Sequence, residues 1–193
     1  NTFTIQNGVN PDVFKVGNSD SSVVRNKRRE LGISDRDKVI GTVGNLIKIK
    51  NQIFLLKSFK ELLREDKNLK LLIIGQGFEN DPENTELELN QFIKKNGMAE
   101  NVKLLGYRSD ISDILQIMDI FCFTSIKEGM PISLIEAMAA GLPVVGTDVE
   151  GIRDVIDSEE NGFLVVENNI NSKSSLEKST KVGLKNIIQR YSL

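Results

Sequence analysis

From residue 39 onward, short and largely apolar runs alternate with segments of helical period, and this alternation limits the fold more than any other feature. The apolar runs lie at 39–43, 69–74, 102–105, 120–124 and 163–166, with another centred on Val144 and Val145 that ends near Thr147. A strand without polar alternation is buried on both faces, as in a parallel sheet. Between the strands, 51–65 places Ile53, Leu56, Phe59 and Leu63 on one helical face, and further helices are expected at 86–95, 111–118 and 132–140. Such alternation builds right-handed βαβ units. The expected fold is α/β: a Rossmann-like doubly wound parallel sheet of about six strands with helices on both faces.

Ligands of such sheets bind beyond the carboxyl ends of the strands. Five strand ends therefore hold the candidates: Gly44-Asn45, Gly75-Gln76-Gly77, Gly106-Tyr107-Arg108, the run from Thr124 through Glu136, and Thr147-Asp148. Three of them begin with glycine, which lets a ligand approach the backbone closely.

The other segments say less. Residues 1–38 read as an irregular lead-in with a short charged helix at 23–31 that stops at Gly32, and 174–191 carries a helical pattern. A net charge of −2 gives no reason to expect nucleic acid or an anionic membrane as a partner. Cys122, alone of its kind, sits in the apolar run IFCF and reads as a buried small hydrophobe in a reducing, cytoplasmic compartment. No apolar stretch reaches the roughly 18 residues of a membrane span, and no secretory leader is evident. The chain has no histidine, so any chemistry proceeds without imidazole from these residues.

The run KEGMPISLIEAMAAGLPVV, residues 127–145, carries the chemistry. Pro131 suits a helix start, and Ser133 falls in or near the first turn, where unpaired N–H groups and the helix dipole favour an anion. Gly129 allows close backbone approach. Glu128 and Glu136 flank this anion cradle, with seven residues between them. Carboxylates repel phosphate but accept hydrogen bonds from sugar hydroxyls, so the arrangement suits a diphosphate with a sugar on either side. The plainer alternative is two solvated helix-end charges.

GNLIKIKN, 44–51, follows the first strand, and either Lys50 or Lys48 could meet phosphate as a point charge. GQG, 75–77, opens like a dinucleotide fingerprint, but Asn80 stands where the third glycine belongs. The acidic triplet Asp35–Asp37 precedes the first strand, at the wrong end of the sheet for a site, and reads as a solvated turn. No metal-ligand spacing appears.

EGMPISLIEAMAAGLPVVGTD, 128–148, closely resembles the E-x7-E signature of retaining GT-B glycosyltransferases of family GT4, the glycosyl transferases group 1. QNGVNPDVF, GTVGNLIKIKN, LLIIGQG, VKLLGYRSDISDIL, GIRDVI and NGFLV resemble further blocks of that family in the same order, covering about 6–166. The resemblance implies the C-terminal, donor-binding half of a two-domain enzyme, with 1–14 as the interdomain crossing and 15–193 as the nucleotide-sugar-binding domain. It implies no cofactor, a nucleoside diphosphate sugar as substrate, a missing N-terminal acceptor domain, and peripheral membrane association only through that domain. It further implies that Glu136 bonds the ribose, Glu128 holds hydroxyls of the transferred sugar, and Lys50 neutralises the departing diphosphate. Gly129, Met130, Pro131, Ser133 and Leu134 would meet sugar and diphosphate through their backbone. Gly44 and Gly75 would line the donor site, and Tyr107 and Arg108 would contact the base.

Two departures stand out. Asn45 occupies a position where the family commonly has arginine, which places more of the leaving-group charge on Lys50. The segment after 166 is short for the long helices the family carries there. The fragment alone is expected to bind donor weakly and transfer nothing. Surface or capsular polysaccharide synthesis is the expected setting. Rival readings are a non-catalytic nucleotide-sugar-binding module, a nucleotide-sugar epimerase of similar architecture, and a dinucleotide-binding protein.

Overall fold

The computed structural model describes residues 8–14, 21–157 and 162–165. The strands are β1 (Lys38–Val43), β2 (Leu69–Ile74), β3 (Val102–Leu104), β4 (Ile120–Phe123), β5 (Val144–Thr147) and β6 (Gly162–Val165). All pair in parallel, in the order β3-β2-β1-β4-β5-β6. The order reverses beside β1, so the loops after β1 and β4 flank the switch point where such sheets bind ligands. The helices are α1 (Pro11–Phe14), α2 (Ser21–Glu30), α3 (Gln52–Leu62), α4 (Glu86–Lys95), α5 (Ile111–Leu115) and α6 (Ile132–Ala139). The 174–191 helix, the 168–172 junction and the first residues of the crossing segment lie outside the described residues.

The strands are largely apolar because both faces are covered, with Lys38, Lys70 and Lys103 as the charged exceptions. On one face, Leu55, Leu56 and Phe59 of α3 with Leu89 and Ile93 of α4 pack on Ile40, Leu71, Ile73 and Cys122. On the other, Ile114 and Leu115 of α5 with Leu134 and Ala137 of α6 pack on Val39, Leu72, Phe121 and Phe123. Adjacent strand residues thus serve opposite layers, as the period of two requires. Burial pushes the Cys122 thiol well above its usual pKa, so it stays neutral.

Two helices are shorter than the sequence suggests. A 3-10 turn, Lys48–Lys50, precedes the 51–65 segment, Asn51 at φ 51° separates that turn from α3, and α3 ends at Leu62. A left-handed residue breaks helical continuity, and asparagine tolerates it better than most. α5 stops at Leu115 rather than 118, because Asp119 already donates its N–H to Val39 at 2.8 Å as the chain turns into β4.

Candidate functional site

The glycines that end the first three strands lie side by side. Gly44 donates to Ile74 O at 2.9 Å, and Gly75 donates to Gly106 O at 2.9 Å. Gly75 sits at φ 139°, and a Cβ there would lie 2.7 Å from the Gly44 carbonyl carbon and still closer to its oxygen. The Gly44 Cα faces the stem of Lys50, whose Cδ and Cε would stand 3.8 Å from an added Cβ.

The loop from 44 to 51 is held from several sides. Gln52, buried in the first turn of α3, donates Nε2 to Asn45 O at 2.9 Å. Leu46 donates to Gln76 O at 3.0 Å, and Ile126 donates to Ile49 O at 2.8 Å. Thr124 Oγ1 donates to Lys50 O at 3.1 Å. The Asn45 side chain is exposed.

These bonds join the Lys50 loop to the loop after β4, and the two meet in an ion pair. Lys50 Nζ donates to Glu128 Oε1. The ammonium also stands 5.3 Å from the centroid of the Phe123 ring, on its face. The two lysines left open by the sequence are separated here: Lys48 turns away to Glu83 and the Pro82 carbonyl, both at 3.2 Å.

An open cleft of about 630 Å³ is lined by Ile49, Lys50, Lys127, Glu128, Gly129, Glu150, Gly151 and Asp154. The loop after β5 forms its far wall. Gly151 has φ 82°, and a Cβ there would fall 2.6 Å from Glu128 O and nearer still to Gly129 O. A side chain at this position would push the Glu128 loop out of place. Gly151 therefore belongs to the site although nothing in its spacing marks it, and only its place after a strand end could have pointed to it.

In the 129–134 run the roles divide. Gly129 is exposed, and a Cβ on it would meet nothing within 4 Å. Met130 is half-buried and Pro131 is buried at the N-cap of α6. Leu134 is fully buried, and its N–H is given to Pro131 O at 3.0 Å. Ser133 donates its hydroxyl to Val43 O at 3.0 Å, tying the helix start to the end of β1. An anion at this helix start therefore meets first-turn backbone N–H groups rather than the Ser133 hydroxyl proton. Glu136, one turn in, is half-buried, and desolvation holds its carboxyl above the usual glutamate range.

Tyr107, directly after Gly106, is 73% exposed. Arg108 is held by acidic side chains. Its guanidinium binds Asp110 through two contacts, at 2.7 and 2.6 Å, and Glu30 of α2 at 2.7 Å. Lys27 completes the group, at 2.6 Å from Asp110 and 2.8 Å from Glu30. Arg108 thus ties α2 to the loop after β3. Its hydrogen bonds, with those of Lys27, hold the Asp110 carboxyl well below the usual aspartate range. A depressed carboxylate stabilises the fold above its unfolded pKa of about 3.9 and loses that contribution as pH falls through the folded value. Asp110→Asn is expected to lower the thermal midpoint by about 2–4 °C at neutral pH. Water screening keeps the effect near about 1 kcal/mol. The variant should also flatten the loss of stability below about pH 4, as read by thermal melts across a pH series.

The model of the family described as Glycosyl transferases group 1 matches residues 23–185 of the 193. An uncharacterized glycosyltransferase of Haemophilus influenzae is 31% identical over 160 residues, which is 82% of this chain and 42% of that protein. The N-acetyl-alpha-D-glucosaminyl L-malate synthase of Bacillus anthracis is 31% identical over 71% of this chain and 34% of its own length. The chain thus spans less than half the length of these relatives. Among solved structures, a glycosyltransferase from Rickettsia africae superposes with a TM-score of 0.83 at 20% identity, covering 96% of this chain and 46% of that one. Anabaena HepE, solved in complex with UDP and glucose, gives 0.76 at 22% identity, covering 97% of this chain and 55% of that one. At such identities the likeness is one of fold: a Rossmann-like unit of the kind found in GT-B structures. The family match, by contrast, runs through all six strands, and by it the chain belongs to the glycosyl transferases group 1.

Proposed function

We propose that this chain is the donor-binding half of a glycosyltransferase that moves a sugar from a nucleoside diphosphate sugar to a hydroxyl acceptor with retention of configuration. The observation that carries the reading is the meeting of Lys50 and Glu128 in a cleft at the switch point, one loop from the α6 N-terminus. Residues 1–14 form the crossing from an acceptor-binding half, and 15–193 form the donor domain. When the bond from sugar to phosphate breaks, charge grows on the departing diphosphate. Lys50 and the first-turn amides of α6 stabilise that charge. Glu128 accepts hydrogen bonds from the transferred sugar, Glu136 from the ribose, and Tyr107 offers an exposed ring to the base. The catalytic cation is Lys50, so the donor needs neither metal nor cofactor, and the reaction belongs in the cytoplasm. The name of an Escherichia coli relative, 29% identical, specifies a diphosphoundecaprenol-linked acceptor, which supports a place in surface polysaccharide assembly.

Calorimetric titration of the folded chain with UDP, GDP and ADP tests the reading. One of the three is expected to bind, and binding by none of them overturns it. Glu136→Gln adds a second readout. Because desolvation raises this carboxyl, the fold prefers it protonated, and the charged form costs stability as pH rises above about 4.3. The glutamine variant is therefore expected to melt higher than the parent at pH 7 without nucleotide. It should bind the nucleotide about tenfold more weakly, since a charge-assisted hydrogen bond to ribose is lost.

A further inference from the structure

Lys50 and Glu128 are each other's charged partner. The Glu128 side chain is 9% exposed and that of Lys50 24%. Among the described residues, no second cation is recorded in ion-pair contact with Glu128. The main chain around Lys50 is fixed by Thr124 and Ile126, and the ammonium rests against Phe123. A phosphate drawn to this ammonium therefore competes with Glu128 for its charge.

We propose that Glu128 competes internally with the diphosphate for Lys50 and so discriminates the sugar donor from the spent nucleoside diphosphate. The inference rests on the donor-binding reading of the cleft. A carboxylate this enclosed is costly to leave without a partner. A nucleotide sugar compensates the loss, because its phosphate takes Lys50 while its sugar hydroxyls donate to Glu128. A bare diphosphate takes Lys50 and gives Glu128 nothing. Once the sugar has left, Lys50 is the charged partner of Glu128 among the described residues, and recapture of Lys50 weakens the hold on the product. The residue that orients the sugar thereby also promotes release of the nucleotide.

The test compares the chain with Glu128→Gln, titrated with UDP, GDP, ADP and inorganic pyrophosphate, the last as a probe that needs no base site. Glutamine keeps the shape and can still accept a hydrogen bond but holds no charge on Lys50. The variant is expected to bind the preferred nucleoside diphosphate, and pyrophosphate, about tenfold more tightly, the size of one charge-assisted bond released from competition. Adding Lys50→Met should abolish the gain. The matching nucleotide sugar should show no such gain. In the unaltered chain it should bind about tenfold more tightly than its diphosphate, a comparison that needs no variant. Equal affinity of parent and Glu128→Gln for the diphosphate, or equal affinity of the parent for diphosphate and nucleotide sugar, overturns the competition while leaving the donor reading intact. No binding of any diphosphate by parent and variant alike overturns both.

Discussion

Gly75→Ala is expected to cost about 4 kcal/mol or more of folding stability, seen as a large drop in the urea midpoint. Two penalties combine at this residue. Its φ of 139° is a conformation that L side chains rarely adopt. Its added methyl would also drive into the Gly44 carbonyl, 2.7 Å from the carbon and closer to the oxygen. That obstacle is backbone, so no rotamer change relieves it. Retreat of either loop is opposed by the bonds from Gly44 to Ile74, from Gly75 to Gly106 and from Leu46 to Gln76. A displaced Gly44 would also move the stem of Lys50, so any residual folded protein should bind nucleotide poorly. Gly129→Ala is the control. Its methyl meets nothing within 4 Å, and its effect on stability should stay within about 0.5 kcal/mol. A parent-like midpoint for Gly75→Ala would show that the strand-end loops are not packed backbone to backbone.

The sheet was legible because its signals are local. The boundaries of β2 at 69–74 and of α4 at 86–95 follow from composition and period alone. The early end of α5 did not, since it depends on the bond from Asp119 to the distant Val39, and the left-handed Asn51 did not, since the 3-10 turn at 48–50 that it closes leaves no mark in the apolar period. The same division holds at the site. Residue types marked Glu128, Glu136 and Lys50, and strand ends told where to look. Nothing in the sequence pairs Lys50 with Glu128, which lies 78 positions away. Nor does it send Arg108 to Glu30, also 78 positions away, although the base was the expected partner. Gly151 opens the GIRDVI block, but its part in the site did not show, because its value lies in the carbonyls of Glu128 and Gly129 that it lets approach. Residue type alone left Lys48 and Lys50 open and the family resemblance favoured Lys50; the turn at 48–50 points the two side chains to different neighbours.

That choice makes the sharpest remaining prediction. Lys50→Met is expected to lower nucleoside diphosphate affinity about 10- to 100-fold, matching the roughly 1.5–3 kcal/mol of a charge-assisted hydrogen bond. It should also destabilise the protein by about 1–3 kcal/mol, because Glu128 is left enclosed without its cation. The two losses have different origins and can be separated. Adding Glu128→Gln removes the stranded charge, so the double variant should regain stability and not affinity. Lys48→Met provides the contrast. Its pair with Glu83 joins side chains that are 60% and 54% exposed, and such pairs contribute about 0.2–1 kcal/mol. It should leave affinity unchanged. Calorimetry with the preferred nucleotide and urea unfolding of the parent and these three variants decide the matter. Equal losses of affinity for Lys48→Met and Lys50→Met would mean that the loop contributes only diffuse positive charge. A loss confined to Lys50→Met would place the phosphate where Glu128 now holds the ammonium, which the direction of the Lys50 side chain, and not its sequence position, makes possible.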